Sequence, residues 1–236
     1  MHPPSRKNQN ALDKFFWGVY LLRPIMKQSH YFAGAMLVFS LLARPAFADD
    51  TALPFRSSMT PGGGSLFQKA QWEATLNNGV LFSPAIIGTA TRPTVDYTYT
   101  GLQFARMLNT PSGDHWWRGN CELGGEVFGG GVFEGRDSYV AGSAFVFRYN
   151  FVQDGWKFVP YTQVDLGVVL TDVDRRLQGQ NFNFTEGFAL GGRYFIFPRW
   201  SLNAEMRFQH ISNAGLSRKN LGVNALGPVI GLSYFF

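Results

Sequence analysis

The run Ser201–Asn213 (SLNAEMRFQHISN) brings two reactive side chains together on what should be an apolar face. Its odd positions Ser201, Asn203, Glu205, Arg207 and Gln209 are polar, with Ile211 the exception. Its even positions Leu202, Ala204, Met206 and Phe208 are apolar until they meet His210 and Ser212. Side chains two apart on a strand share a face. A histidine and a serine so placed come within hydrogen-bond reach, as a nucleophile and its general base require. Such a pair attacks carbonyl carbon, so the chemistry would be ester hydrolysis or acyl transfer. The plainer alternative is a histidine and a serine tolerated among polar headgroups at a barrel rim. An ionisable residue on an otherwise apolar stripe needs a reason, and that reason depends on the elements that carry it.

Those elements read as strands. The chain has 236 residues, 45% hydrophobic and only 16% charged, with 23 Phe and 27 Gly. Soluble domains carry about 25% charged residues. Disorder and coiled coils are excluded by this composition. Outside the N-terminal region no run of about 18 apolar residues occurs, which excludes a polytopic helical membrane protein. Strands are predicted at Leu66–Phe82, Thr94–Met107, Trp117–Phe133, Ser138–Phe151, Trp156–Leu170, Phe182–Ile196, Trp200–Asn213 and Val223–Phe236. In Trp156–Leu170 one face holds Phe158, Val164, Leu166 and Val168, the other Lys157, Gln163 and Asp165. In Ser138–Phe151, Tyr139, Phe145, Phe147, Tyr149 and Phe151 oppose Arg148 and Asn150. Gln153-Asp154-Gly155 and Phe197-Pro198-Arg199 read as tight turns, Thr171–Asn181 and Ala214–Gly222 as longer polar loops. Short turns at one end and long loops at the other are a property of outer-membrane barrels. Ile230, Leu232, Tyr234 and Phe236 alternate to the last residue, in the manner of a barrel-assembly signal. The expected fold is all-β: an eight-stranded antiparallel transmembrane β-barrel of the outer membrane. A soluble periplasmic barrel is the structural alternative.

The first 48 residues read as a leader. Met26-Lys27 opens a secretory pattern, Tyr31–Leu42 is its apolar region, and Ala46-Phe47-Ala48 is a cleavage site. Residues 49–65 read as a flexible lead-in and 66–236 as the barrel domain. The leader holds six of the 21 Lys and Arg and one of the 16 Asp and Glu, so the remainder carries 15 of each and is near neutral. The isoelectric point near 9.4 therefore belongs to the leader, and a nucleic-acid partner is not expected. Cys121 is the single cysteine, so no internal disulfide can form. His115 beside Trp116-Trp117 fits a periplasmic aromatic girdle. Glu122 and Glu126 read as interior charges paired with Arg148, Arg193 or Arg207. Asp172, Asp174, Arg175 and Arg176 form an outer-loop cluster, solvated or touching lipopolysaccharide headgroups. No metal-ligand spacing or phosphate-binding motif appears, so neither metal nor cofactor is expected.

The run His210-Ile211-Ser212-Asn213-Ala214-Gly215-Leu216, followed by Asn220, Gly222 and a last strand, resembles the PagL family of lipid A 3-O-deacylases. The resemblance covers the eight-strand plan and is most specific over the last thirty or so residues. It implies an outer-membrane esterase whose site faces the membrane, and which removes the ester-linked 3-hydroxyacyl chain from position 3 of lipid A. It further implies His210 as general base, Ser212 as nucleophile and Asn213 as an oxyanion contributor. The family pattern has a glutamate early in the last strand, where this chain has Asn224. Asparagine can orient the imidazole but cannot stabilise its charged form. If Ile196 pairs with Trp200 across the tight turn, Glu186 faces His210, on a stripe shared with Phe182, Phe184, Phe188, Leu190 and Tyr194. Glu186 is thus a substitute for the acid, or else a solvated rim carboxylate or a cation-bridged contact to lipid A. The expected partners are lipid A, as part of lipopolysaccharide, and the outer membrane, with a homodimer left open. Two rival functions stand: a catalytically impaired relative with a structural or lipid-binding role, and a small passive pore.

Overall fold

The computed structural model describes residues 66–84, 94–135, 138–172 and 175–236. The expected leader and lead-in lie outside the described residues. The strands are β1 (Trp72–Leu81), β2 (Asp96–Met107), β3 (Gly119–Glu134), β4 (Tyr139–Phe151), β5 (Phe158–Thr171), β6 (Phe182–Phe197), β7 (Trp200–Ser212) and β8 (Val223–Phe235). A one-turn helix, α1 (Arg175–Gln178), sits between β5 and β6. Each strand pairs antiparallel with the next, and β8 returns to β1, closing the barrel. A closed ring satisfies every strand, as hydrocarbon demands.

The alternation in the sequence becomes an inside-out protein. Phe145, Leu166 and Ile230 point outward and are 76%, 63% and 66% exposed, while Arg148 and Arg193 are 1% and 0% exposed within the barrel. Only a lipid-facing exterior reconciles those values. The middle of the interior is packed with paired charges, between a buried hydrophobic cluster at either end. Arg193 contacts Glu73 at 2.5 Å and Glu122 at 3.4 Å. Arg148 contacts Glu122 at 3.4 Å and Glu73 at 3.6 Å. Arg207 binds Glu126 at 2.9 Å and Glu205 at 2.7 Å, and also the Tyr99 hydroxyl. Eight strands leave an interior that side chains fill.

Three departures from the sequence reading have local causes. The first strand starts at Trp72 rather than Leu66, because the chain turns at Ala70 (φ 74°). That turn carries Phe67 into the barrel mouth, fully buried against Phe195 and Phe235 at 5.9 and 5.8 Å. Connection lengths also mix. At the end carrying the tight Pro198-Arg199 turn, which is the periplasmic end, the β2–β3 connection is long. It contains a 3-10 turn, His115–Trp117, with Trp116 stacked on Trp117 at 3.5 Å and both exposed, as an interfacial aromatic belt requires. At the opposite, outer end the β3–β4 connection is short. Finally, Phe197 rather than Ile196 pairs with Trp200, and a bulge between Phe195 and Phe197 shifts the register. Above that bulge Phe195 pairs with Ser201, so Glu186 still meets His210.

Candidate active site

The outward stripe of β7 changes character toward its outer end. Leu202 and Met206 are 51% and 49% exposed, but His210 on the same face is only 6% exposed. Gln209 and Ile211, on either side of it, point inward: Gln209 bonds to Tyr97 and Thr185, and Ile211 joins the buried cluster around Val223 and Ala225. His210 thus lies on the outer wall, shielded. Ser212 follows two residues on, about 7 Å along the strand, and is half-buried.

The neighbouring strands supply the partners of the imidazole. On the β8 side His210 pairs with Asn224, and Nδ1 lies 2.5 Å from Asn224 Oδ1. An amide oxygen only accepts, so Nδ1 carries the proton and Nε2 is the basic nitrogen. On the β6 side His210 pairs with Glu186, and Ser212 pairs with Phe184. Opposed residues of an antiparallel pair sit about 4.5–5.5 Å apart at Cα. The four side chains His210, Ser212, Asn224 and Glu186 therefore come from three adjacent strands and share one face.

Just beyond Ser212 the chain turns sharply. Ala214 and Gly215 both have positive φ (52° and 83°), and Leu216 N–H donates to Asn213 O at 3.0 Å. Positive φ at both central residues makes this a type I′ turn. Asn213, fully buried, holds it in place. Its side-chain Nδ2 donates to Gln178 O (2.6 Å) and Lys219 O (2.8 Å), and its Oδ1 accepts from Gly215 N–H (2.9 Å). Its backbone N–H donates to Asn220 Oδ1 at 2.9 Å. All the donors of Asn213 are thus spent within the loops.

The family model for lipid A 3-O-deacylase (PagL) matches residues 93–233. The chain belongs to the PagL family. That match spans β2 to β8 and takes in His210, Ser212, Asn213, Asn224 and Glu186. No curated protein matches. Among solved structures the chain is similar to Neisserial surface protein A (TM-score 0.51, 13% identity, covering 70% of this chain and 97% of that one). It is also similar to the outer membrane enzyme PagL (TM-score 0.48, 17% identity, 67% and 97% covered). A third is the outer membrane protein OprG from Pseudomonas aeruginosa (TM-score 0.44, 17% identity, 72% and 97% covered). The first of these supports the barrel fold. This PagL-family chain is accordingly a transmembrane barrel of the outer-membrane type.

Other residues singled out in the sequence sit apart from this face. Glu122 and Glu126 are the interior partners of Arg148, Arg193 and Arg207. His115 lies at the periplasmic end. Of the outer-loop cluster, Asp174 lies outside the described residues. Asp172 ties the β5 end to the β3–β4 hairpin, accepting from Ser138 N–H at 2.8 Å and Tyr139 N–H at 3.3 Å. Against slight burial, which acts to raise it, those amides hold the Asp172 carboxyl below its ordinary pKa. Among the described residues no group of three His, Cys, Asp or Glu could hold a metal ion.

The sequence reading gave Asn213 to the oxyanion and missed the network of amides that knits the two outer loops through Gln178. Gln178, Asn183 and Asn213 are each fully buried. In the sequence Gln178 lies in the polar stretch Gln178-Gly179-Gln180-Asn181, which looks like ordinary solvated loop. No periodicity betrays a loop amide that turns inward.

Proposed function

We propose that this chain is a lipid A 3-O-deacylase acting as a serine esterase in the outer leaflet. The observation that carries the reading is the shielded, outward-facing His210. It is held through Nδ1 by Asn224 and lies one face position from Ser212, on a chain of the PagL family. His210 Nε2 takes the proton of the Ser212 hydroxyl as Oγ attacks the acyl carbonyl. The tetrahedral oxyanion is met by the backbone N–H of Ala214, the next amide along from Asn213, with Asn213 holding that turn rigid. The intermediate collapses with cleavage of the bond to the sugar's 3-oxygen, His210 gives that oxygen its proton so that it leaves as the 3-hydroxyl, and the acyl group stays on Ser212. Water, deprotonated by His210, then hydrolyses the acyl-enzyme. The reaction needs no cofactor, and substrate arrives along the membrane plane rather than through a pocket.

Asn224 changes the electrostatics, not the tautomer. In a serine protease, replacing the triad aspartate by asparagine costs about 10⁴-fold through the wrong tautomer. Here the amide oxygen faces Nδ1, so the productive tautomer is supported. What asparagine cannot supply is negative charge for the imidazolium, and Glu186, opposite His210 on β6, takes that part.

Mass spectrometry of lipid A from cells expressing the protein tests this, with Ser212→Ala as control. We expect loss of one 3-hydroxyacyl chain with the wild type and intact lipid A with the variant. Intact lipid A from both, with the barrel folded, would favour the second reading that Asn224 suggests: a relative without catalysis, retained for envelope structure or lipid binding.

A further inference from the structure

We propose that Gln178 is a positioning residue for this site, acting through hydrogen bonds from the β5–β6 loop. Gln178 closes α1 at the outer end of the barrel, yet it is fully buried. Its backbone carbonyl accepts from Asn213 Nδ2 at 2.6 Å, and Asn213 directly follows Ser212. Its side-chain Oε1 accepts from Gly222 N–H at 3.0 Å, two residues before Asn224. Its Nε2 donates to Asn183 Oδ1 at 3.0 Å, three residues before Glu186, and to Asn220 Oδ1 at 3.1 Å. One residue therefore reaches the chain beside each of the three strands that bear the proposed machinery.

The surroundings are built for that role. Leu221 N–H donates to Leu177 O at 3.2 Å, so α1 and the β7–β8 loop share backbone as well as side-chain bonds. Gly179 has φ 80°, and a Cβ there would run into the Ser217 hydroxyl. Only glycine permits both the left-handed turn out of α1 and that approach of the two loops. Both protons and the oxygen of the Gln178 amide are used. In a buried network a fully satisfied member fixes its neighbours, and losing one strands the others. Outward residues at a strand end otherwise fray easily, and Ser212 and Asn224 lie at the outer ends of β7 and β8.

The kinetic arm of this inference rests on the deacylase reading; the structural arm does not. Wild type, Gln178→Ala and Gln178→Glu are refolded in detergent, and folded fraction is read from heat-modifiable gel mobility. Deacylation of purified lipid A gives kcat and KM, and backbone amide NMR follows Ser212, Asn213 and Asn224. A displacement near 1 Å can cost about 10²-fold in rate, so we expect that loss in kcat for Gln178→Ala, with KM within about threefold. Gln178→Glu keeps an acceptor for Gly222 and should fall between the two. The Ser212, Asn213 and Asn224 resonances should move or broaden in Gln178→Ala. Folded Gln178→Ala with wild-type kcat and an unmoved spectrum overturns the inference. So does a loss of activity that tracks the folded fraction alone. If wild type leaves lipid A intact, the esterase reading fails and the spectrum alone decides: shifted site amides support positioning by Gln178, unshifted ones overturn it.

Discussion

An imidazole bonded to an amide on one side, with a carboxylate paired across the ladder on the other, would divide in the proposed reaction a task that a single acid usually performs. Asn224 accepts from Nδ1, and Glu186 stands opposite on β6. Hydrogen bonds to charged groups exceed neutral ones by about 1–2 kcal/mol, or about tenfold in rate. We therefore expect Glu186→Gln to lower the deacylation rate about tenfold in the wild type. Asn224→Glu should raise it by about as much and make Glu186→Gln nearly silent. A double-mutant cycle on deacylation kinetics in detergent isolates that coupling; additive effects would deny Glu186 the part. At this scale the sequence was informative where alternation applied. His210 and Ser212 break the apolar stripe of their strand, and a strand's parity shows that. Gln178 has no stripe to break, and its burial comes from two loops meeting, which no local pattern records.

At the scale of elements, strand spacing is set by residues without side chains. Gly227 of β8 faces inward, and a Cβ there would run into the Val80 backbone oxygen of β1. Gly131 of β3 has open space around its missing Cβ. We expect Gly227→Val to destabilise the barrel by about 3 kcal/mol and Gly131→Ala to stay within about 0.5 kcal/mol, as read by urea unfolding in detergent micelles. Equal effects would mean that strand propensity, not the β8–β1 approach, governs both. The eight elements were legible because lipid outside and polar groups inside enforce a period of two along every strand. Their ends were less so. Nothing in Leu66–Gln71 distinguishes a strand from a plug until Phe67 is seen to fill the mouth between Phe195 and Phe235. The bulge near Ile196 was equally hidden, yet it absorbs the residue that would have displaced Glu186 from His210.

At the scale of the molecule, the barrel has exchanged the usual places of oil and charge. Its stability rests on an interior where Arg193 bridges Glu73 and Glu122, and its guanidinium also lies over the rings of Phe67 and Tyr161, each at 5.4 Å. Removing one member of a buried ionic group costs about 3–5 kcal/mol because its partners stay charged and unmatched. We expect Arg193→Met to cost that much in urea unfolding, and Glu73→Gln in the same chain to recover part of it. If Arg193→Met were neutral, the ring of backbone bonds would be the main source of stability. That the interior would be charged was legible from Glu122, Glu126, Arg148 and Arg207 on their strands; which arginine meets which carboxylate depends on tilt and stagger around the ring.

The seam between β8 and β1 joins residues as distant in the chain as Glu73 and Phe235, and this has a consequence in time. Contacts so far apart form late, and until they form, two strands offer open edges. β8 also carries Asn224, so the strand that seals the ring is the one that orients His210. While this seam is open, Ser212 stands without the Asn224 contact to its histidine, and on the proposed reading the pair becomes whole only at closure.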